Sequence, residues 1–548
     1  MSFIINFLAV SVLLTACAPV ALADWQYLSR PDLSPPKLNI TVPAQPSVEP
    51  GYLFIAPYRG FQEGNVGPEQ PGAYIFRDDG DLVWSGTGYL AGWVADFGPT
   101  TINGKSVLRA FQGRLDSPHG RMYGDHSILN NHYETLKVVR TASHRLVSCH
   151  EFQVVDGGRS VLIETPVSIP TDLSSFGGAD DQKWLISNGF QELDIATGDL
   201  LFEWYSADHV TPNGSAFPLE TDGASNARSS LDAWNYFHIN SVDKDDEGNY
   251  LISARNYAAL FKINGTSGEI LWQLGGSGSD FDVPPSAKFA YQHDARFRYR
   301  SSDGRIERIS LFDNAYHSQP GRSINPFSRA RYIELDHTTK TVREIHTYRP
   351  RDNLVAQSQG NVQFLPGGNV FVNWGQAGAV TEYSDDGDVL FHAYLDSYPN
   401  QYVQSYRGFR YPWTGYSSEE PAVLALSDLG GQGSDRVSVY VSWNGDTETD
   451  FWNFYLVEPA RESGTEEKYL GKKKRSGFET SFQTDLGLFS LNGLSQLFIV
   501  AEARDRKGNV LGRNRATALT DKAPYSSRLD LQNELFLGSN FDRQRLEL

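Results

Sequence analysis

Between about residues 51 and 410 the chain alternates short apolar runs with turns rich in Gly, Asp and Asn, and no long amphipathic pattern interrupts them. That is the signature of an all-β region. One unit recurs: an aromatic or aliphatic strand, a polar turn, then a strand ending in a large apolar residue. It is seen in "YIFRDDGDLVW" (74–84), "ELDIATGDLLFEW" (192–204), "FKINGTSGEILW" (261–272), "YIELDHTTKTVREI" (332–345) and "VTEYSDDGDVLF" (380–391), with a degenerate copy in "YETLKVVRTASHRL" (133–146). A second type of hairpin precedes several of these: "HEFQVVDGGRSVLI" from His150, "HINSVDKDDEGNYLIS" from His238, "HDARFRYRSSDGRIERISLF" from His293 and "QGNVQFLPGGNVFVN" from Gln359. Inner plus outer hairpin makes four antiparallel strands. Six such sheets in a ring, over residues 51–415, predict a six-bladed β-propeller, which leaves only short, protected edges. A large sandwich is the alternative arrangement of the same strands.

The flanks read differently. Residues 24–50 are proline-rich and predict an extended lead-in. From 420 to 518 the alternating strands lengthen, as in "RVSVYVSWNGDTETDFWNFYLVE", which predicts a small immunoglobulin-like β-sandwich. Residues 519–548 have no pattern and read as a tail. The apolar run "FIINFLAVSVLL" (3–14) is too short to span a bilayer, and with "ALA" at Ala21–Ala23 it reads as a signal peptide over 1–23, so the protein is expected to be secreted. "LTAC" at Leu14–Cys17 also resembles a lipoprotein box, although no basic residue precedes the run.

The net charge of −18 argues against nucleic acid or an anionic membrane surface as partner. After cleavage Cys149 is the one cysteine, so no intrachain disulfide forms and the cores must hold the fold. It reads as a small buried residue rather than a nucleophile. Sequons at Asn39, Asn213 and Asn264 are candidate glycosylation sites. Neither HExxH nor paired CxxC occurs, and the spacing of His119, His126 and His132 matches no metal signature; no metal and no cofactor are expected. "DKDDEG" (243–248) lacks the alternating ligands of a calcium loop and reads as a turn. P-loop and G-x-S-x-G patterns are absent.

Aligned hairpins place His150, His238, His293 and Gln359 at one equivalent position, the start of the innermost strand. In a propeller these positions converge on one mouth of the central channel. If Val242 faces Tyr250, His238 lies near Ala254 and Arg255. By the same counting His293 lies near Phe312, Asp313 and Asn314, Gln359 near Trp374 and Gly375, and His150 near Thr165. Asn240 and Asn361, two residues on, are expected on the same strand face as His238 and Gln359. Neutral imidazole can act as base or nucleophile near pH 7, Arg can neutralise an anionic ester, and amides can donate to oxyanions. A single histidine at a strand end would more simply be satisfying hydrogen bonds; three at equivalent positions point to a functional channel mouth.

The segments "WNYFHINSVDKDDEGNYLISARN", "GEILWQLGG", "FAYQHDARF", "ISLFDNAY" and "SCHEFQVVDGG", with the later "SWNGDTETDFW", resemble the arylsulfotransferase family, its eukaryotic, mainly fungal branch most closely, over roughly residues 50–450. The resemblance implies a six-bladed propeller followed by a sandwich-like region. It implies sulfuryl transfer from one phenolic sulfate ester to another phenol, without a nucleotide donor, through a transiently sulfated channel histidine. Carried over, His238 and Asn240 match the family's H-x-N, Arg255 the arginine closing that hairpin, and His293 the second channel histidine. The sulfated histidine should fall on the blade of "SQGNVQF", where this chain has Gln359. Gln cannot form a labile sulfo-imidazole, so His238 or His293 takes that role or the chemistry differs. The expected site therefore comprises His238, His293 and Arg255 as catalytic groups, with Asn240, His150, Gln359, Asn361, Asn314 and Trp374 around a small aromatic substrate. Two other readings remain open: a propeller that only binds, and a quinoprotein-type dehydrogenase, whose tryptophan docking motif "TSGEILW" resembles but whose adjacent cysteines are lacking.

Overall fold

The computed structural model describes residues 24–61, 67–117, 119–220, 225–317, 321–395, 403–427, 436–459, 465–486 and 497–521. The predicted signal segment and most of the tail lie outside them. Strands and short 3-10 turns make up all the regular structure of the described residues.

Up to Tyr411 the strands form six antiparallel sheets. The first is closed by the two ends of the region: Val403–Tyr411 pairs with Tyr52–Arg59, followed by Tyr74–Phe76 and Leu82–Ser85. The next four are consecutive meanders beginning at Trp93–Ile102, Phe152–Val155, Ile239–Lys244 and His293–Arg300. The sixth runs from Asn361–Phe364 to Val389–Tyr394, and Asn39–Val42 of the predicted lead-in pairs with its outer edge. Leading strands touch from sheet to sheet, and that of the sixth, Asn361–Phe364, touches that of the first, Val403–Tyr411.

Carboxylates stitch these leading strands together. Glu151 accepts from Val242 N–H at 2.9 Å, Asp243 from Phe297 N–H at 2.9 Å, and Asp294 from Val362 N–H at 2.9 Å. Arg407, fully buried, donates to Glu151 at 3.0 Å and to the carbonyl of His150 at 2.8 Å. Buried charges of this kind persist only when paired and hydrogen-bonded. Apolar clusters fill the spaces between neighbouring sheets; Trp272 of "TSGEILW" lies in one of them with Leu251, Leu260 and Ile309.

The outer hairpins lie where the repeat predicts, with one exception. Within 133–146 only Thr135–Val139 is a strand, and its partner is Arg121–Leu129, so the turn falls at 130–134. The "DKDDEG" segment is a turn: Asp245 accepts from the N–H groups of Glu247 and Asn249, and Gly248 takes φ +84°, open to glycine. After Tyr411 two further sheets share one core, in which Val437, Val439 and Val441 of one pack with Phe454, Leu456 and Ile499 of the other.

Candidate functional site

The leading strands of the third, fourth, fifth and sixth sheets begin beside one another. There His150, His238, Arg255, His293 and Gln359 line a single cavity of about 210 Å³, with Tyr58, Phe61, Trp93, Cys149 and Tyr406. The His150 and His238 rings are 4.8 Å apart edge to face, and Tyr406 stands 5.4 Å from His150 and 6.4 Å from His293.

His238 and Gln359 both hold left-handed backbone, φ +58° and +69°. Such conformations cost non-glycine residues about 1–3 kcal/mol and persist where the surroundings over-determine them. Here His238 N–H donates to Asn188 Oδ1 at 2.9 Å, and its carbonyl accepts from Arg255 N–H at 2.9 Å. The same twist corrects two expectations. Period-two alternation does not run through a left-handed residue, so Asn240 and Asn361 turn away from the cavity. Asn240 donates to the Gln292 carbonyl at 2.7 Å, and Asn361 both donates to and accepts from Gly408. Trp374 is also displaced from its expected place: it is fully buried in the core of the sixth sheet, its indole N–H on Thr381 Oγ1 at 2.8 Å.

Hydrogen bonds assign the imidazole tautomers. His293 Nδ1–H donates to Asn314 Oδ1 at 2.7 Å, which leaves the lone pair on Nε2, where the Gln359 backbone N–H points at 3.1 Å. Asn314 thus sits behind His293 rather than in the cavity; its own amide is fixed by the carbonyls of Ala356 and Gln359. His238 Nδ1 accepts from Asn235 at 2.8 Å, so its Nε2 carries the proton. His150 Nδ1 is 2.6 Å from Ser148 Oγ and 3.5 Å from the Glu164 carboxylate. Burial holds His238 and His293 well below the usual imidazole range, reinforced at His238 by His150 and Arg255 and at His293 by Arg255. Both are neutral at pH 7.

Arg255 forms no ion pair among the described residues. Its guanidinium donates to Asn256 Oδ1 at 2.8 Å and the Gln357 carbonyl at 3.0 Å, lies over Phe217 and Tyr291, and keeps a buried Nε without a partner. Burial brings its pKa down to about 10, so it stays a cation. The Gln359 side chain is occupied, accepting from Tyr58 at 2.6 Å and donating to Gln404 at 2.9 Å. The Tyr406 hydroxyl is buried without a partner. A mouth whose described lining holds a cation, the neutral imidazoles of His238 and His293 and no carboxylate suits an anionic ester.

Tyr58 and Tyr406 were not foreseen. The signal was present: "YRGF" occurs twice, at 58–61 and 406–409, in the two strands that pair to close the first sheet. Of the sequons, Asn39 and Asn213 are exposed, while Asn264 accepts from the Thr266 and Ser267 N–H groups in a turn.

An all-β architecture of four-stranded meanders with a cationic, imidazole-lined mouth is the class these features define. The profile of the arylsulfotransferase (ASST) family matches residues 98–395, more than half of the chain. The chain belongs to that family. No curated protein matches it. Among solved structures, a protein of unknown function from Bacteroides caccae shares 10% identity over 66% of this chain and 100% of its own, with a TM-score of 0.36. Hydrazine synthase of Kuenenia stuttgartiensis shares 8% over 51% and 62%, with a TM-score of 0.27. A virginiamycin B lyase from Staphylococcus aureus shares 9% over 71% and 94%, with a TM-score of 0.26. At such TM-scores these likenesses carry no argument about this chain.

Proposed function

We propose that the chain is a secreted arylsulfotransferase-like enzyme: a six-bladed β-propeller, followed by an immunoglobulin-like sandwich, that moves a sulfuryl group between phenols through His293. One observation carries this reading: Arg255, a half-buried cation with no ion pair among the described residues, shares its cavity with His293, whose Nε2 carries the lone pair and is met at rest only by the Gln359 N–H at 3.1 Å. The unbroken run of contacts around the six leading strands supports the propeller, and the apolar run before Ala21–Ala23 supports export.

In the first half-reaction His293 Nε2 attacks the ester sulfur. An N–S bond forms, the S–O bond to the aryl group breaks, and phenolate leaves. Arg255 and the His238 Nε2–H neutralise the sulfuryl oxygens, and the Gln359 N–H that caps Nε2 at rest donates to one of them after attack. The phenolate takes its proton from solvent, and in the reverse step His150, backed by Glu164, relays the proton of the incoming phenol to solvent as that phenol takes the sulfuryl group. The kinetics are ping-pong. Gln359 replaces the histidine expected there but takes part only through its backbone.

Turnover of 4-nitrophenyl sulfate with phenol as acceptor tests the reading. Wild type is expected to be active and both His293→Ala and His238→Ala inactive. Absence of turnover over a broad set of aryl sulfates would instead favour a non-catalytic binding platform, a reading consistent with the sequestered Gln359 side chain.

A further inference from the structure

We propose that a second cavity, bordering the histidine mouth, is a subsite for the remote part of the substrate, and that it selects aromatic esters or phenols of two or more rings carrying a second anionic group. This rests on the sulfuryl-transfer reading for what happens at the reacting oxygen, but not for what binds in the subsite.

The two cavities share Tyr58, Phe61, Trp93 and Leu115 as walls. The inner one, about 210 Å³, falls below the roughly 300–1,000 Å³ of pockets that enclose drug-sized ligands and suits a single ring with its sulfate. The outer one, about 810 Å³, lies high in that range. A substrate of one ring would leave it empty. Its wall toward the mouth is aromatic: Tyr58 meets Trp93 edge to face at 5.2 Å and Phe61 at 5.8 Å, and Phe61 is 48% exposed. Ring stacking is the contact such a wall offers.

Charge gives the second half of the specificity. The protein carries a net −18, yet among the described residues neither cavity has an Asp or Glu in its lining. The outer one presents Arg59 and Arg114, both exposed and neither with a hydrogen bond or ion pair among the described residues. Unpaired cations on an acidic protein, bordering an apolar aromatic wall, form a local positive field that draws in anions. The sulfate is already provided for by Arg255 inside. Arg59 and Arg114 therefore fit a further carboxylate, sulfonate or sulfate on the distal ring.

Two measurements test this. The first compares KM for 4-nitrophenyl sulfate with that for a naphthyl sulfate bearing a distal carboxylate. The two-ring dianion is expected to have a KM about tenfold lower, and the Arg59→Ala, Arg114→Ala double variant to raise that KM about tenfold more than it raises the KM of the single-ring ester, the effect fading at high salt. Equal KM values, or an equal effect of the double variant on both esters, would overturn the proposal. The second measures binding of anilinonaphthalene sulfonate to His293→Ala by fluorescence. Saturable binding that the double variant weakens supports the subsite even if no aryl sulfate is ever turned over, and so separates it from the failure of the sulfuryl-transfer reading. No saturable binding would overturn it.

Discussion

Replacing Arg255 by methionine should remove activity and leave the protein at least as stable. Burial lowers the arginine pKa from 12.5 to about 10, which at about 1.4 kcal/mol per pH unit means roughly 3 kcal/mol spent on holding the cation there. Methionine, similar in volume, relieves that. Against it stand two lost hydrogen bonds, to Asn256 and Gln357, at about 1 kcal/mol each, with a smaller contribution from the cation over Phe217. The balance is a gain of about 1 kcal/mol or no change. Had Arg255 been half of a buried ion pair, its removal would cost about 3–5 kcal/mol. Urea unfolding at pH 7, followed by tryptophan fluorescence, separates the two cases. Inorganic sulfate in the same titration should raise the wild-type midpoint more than that of the variant, since both share its general salt effect and only the former holds the anion. A loss above about 2 kcal/mol in the variant, or a sulfate response equal to wild type, would refute the view of Arg255 as an anion-binding cation held at a cost.

Further outcomes follow from the same geometry. Asn314→Leu removes the acceptor that fixes the His293 tautomer, so kcat should fall about a hundredfold with little change in KM, and Asn314→Asp, which keeps an acceptor, should recover much of it. Gly375→Ala places a Cβ 2.6 Å from the Gln359 carbonyl carbon at φ +52°, so it should cost about 1–2 kcal/mol in urea unfolding and slow turnover by shifting the Gln359 N–H. Burial depresses His238 and His293 as well as His126, to about 3, and His392, to about 4. The unfolded chain therefore takes up these protons first as pH drops. Stability should be full above pH 6.5 and fall below it by about 1.4 kcal/mol per pH unit for each group, and urea midpoints that stay level from pH 7.5 to 5.5 would contradict this.

Much of the site was legible because one repeat places equivalent residues at equivalent points. Register counting put His293 opposite Phe312, which is its partner in the sheet. It put His238 opposite Ala254 from the wrong pairing: Val242 faces Ile252, a bulge between Ile239 and Ser241 takes back one of the two residues of offset, and Ile239 faces Ala254 while the His238 carbonyl meets Arg255 N–H. The faces of Asn240 and Asn361 were not legible, since left-handed backbone at His238 and Gln359 leaves no trace in an apolar-polar pattern. Trp374 was misjudged because strand pairing gives height along a sheet but not which side a ring packs on. The contribution of Tyr406 required knowing that the first sheet is completed by a strand more than 300 residues away in sequence, a long-range pairing that local periodicity does not encode.

In the proposed cycle His293 carries the sulfuryl group. Brief exposure of the protein to 4-nitrophenyl sulfate without acceptor, followed by peptide mass spectrometry under conditions that preserve N–S bonds, tests it most directly. One sulfuryl adduct is expected, on the peptide containing His293, lost on addition of phenol and absent in His293→Ala. An adduct on the His238 or His150 peptide, or rapid turnover with no adduct on His293, would contradict it.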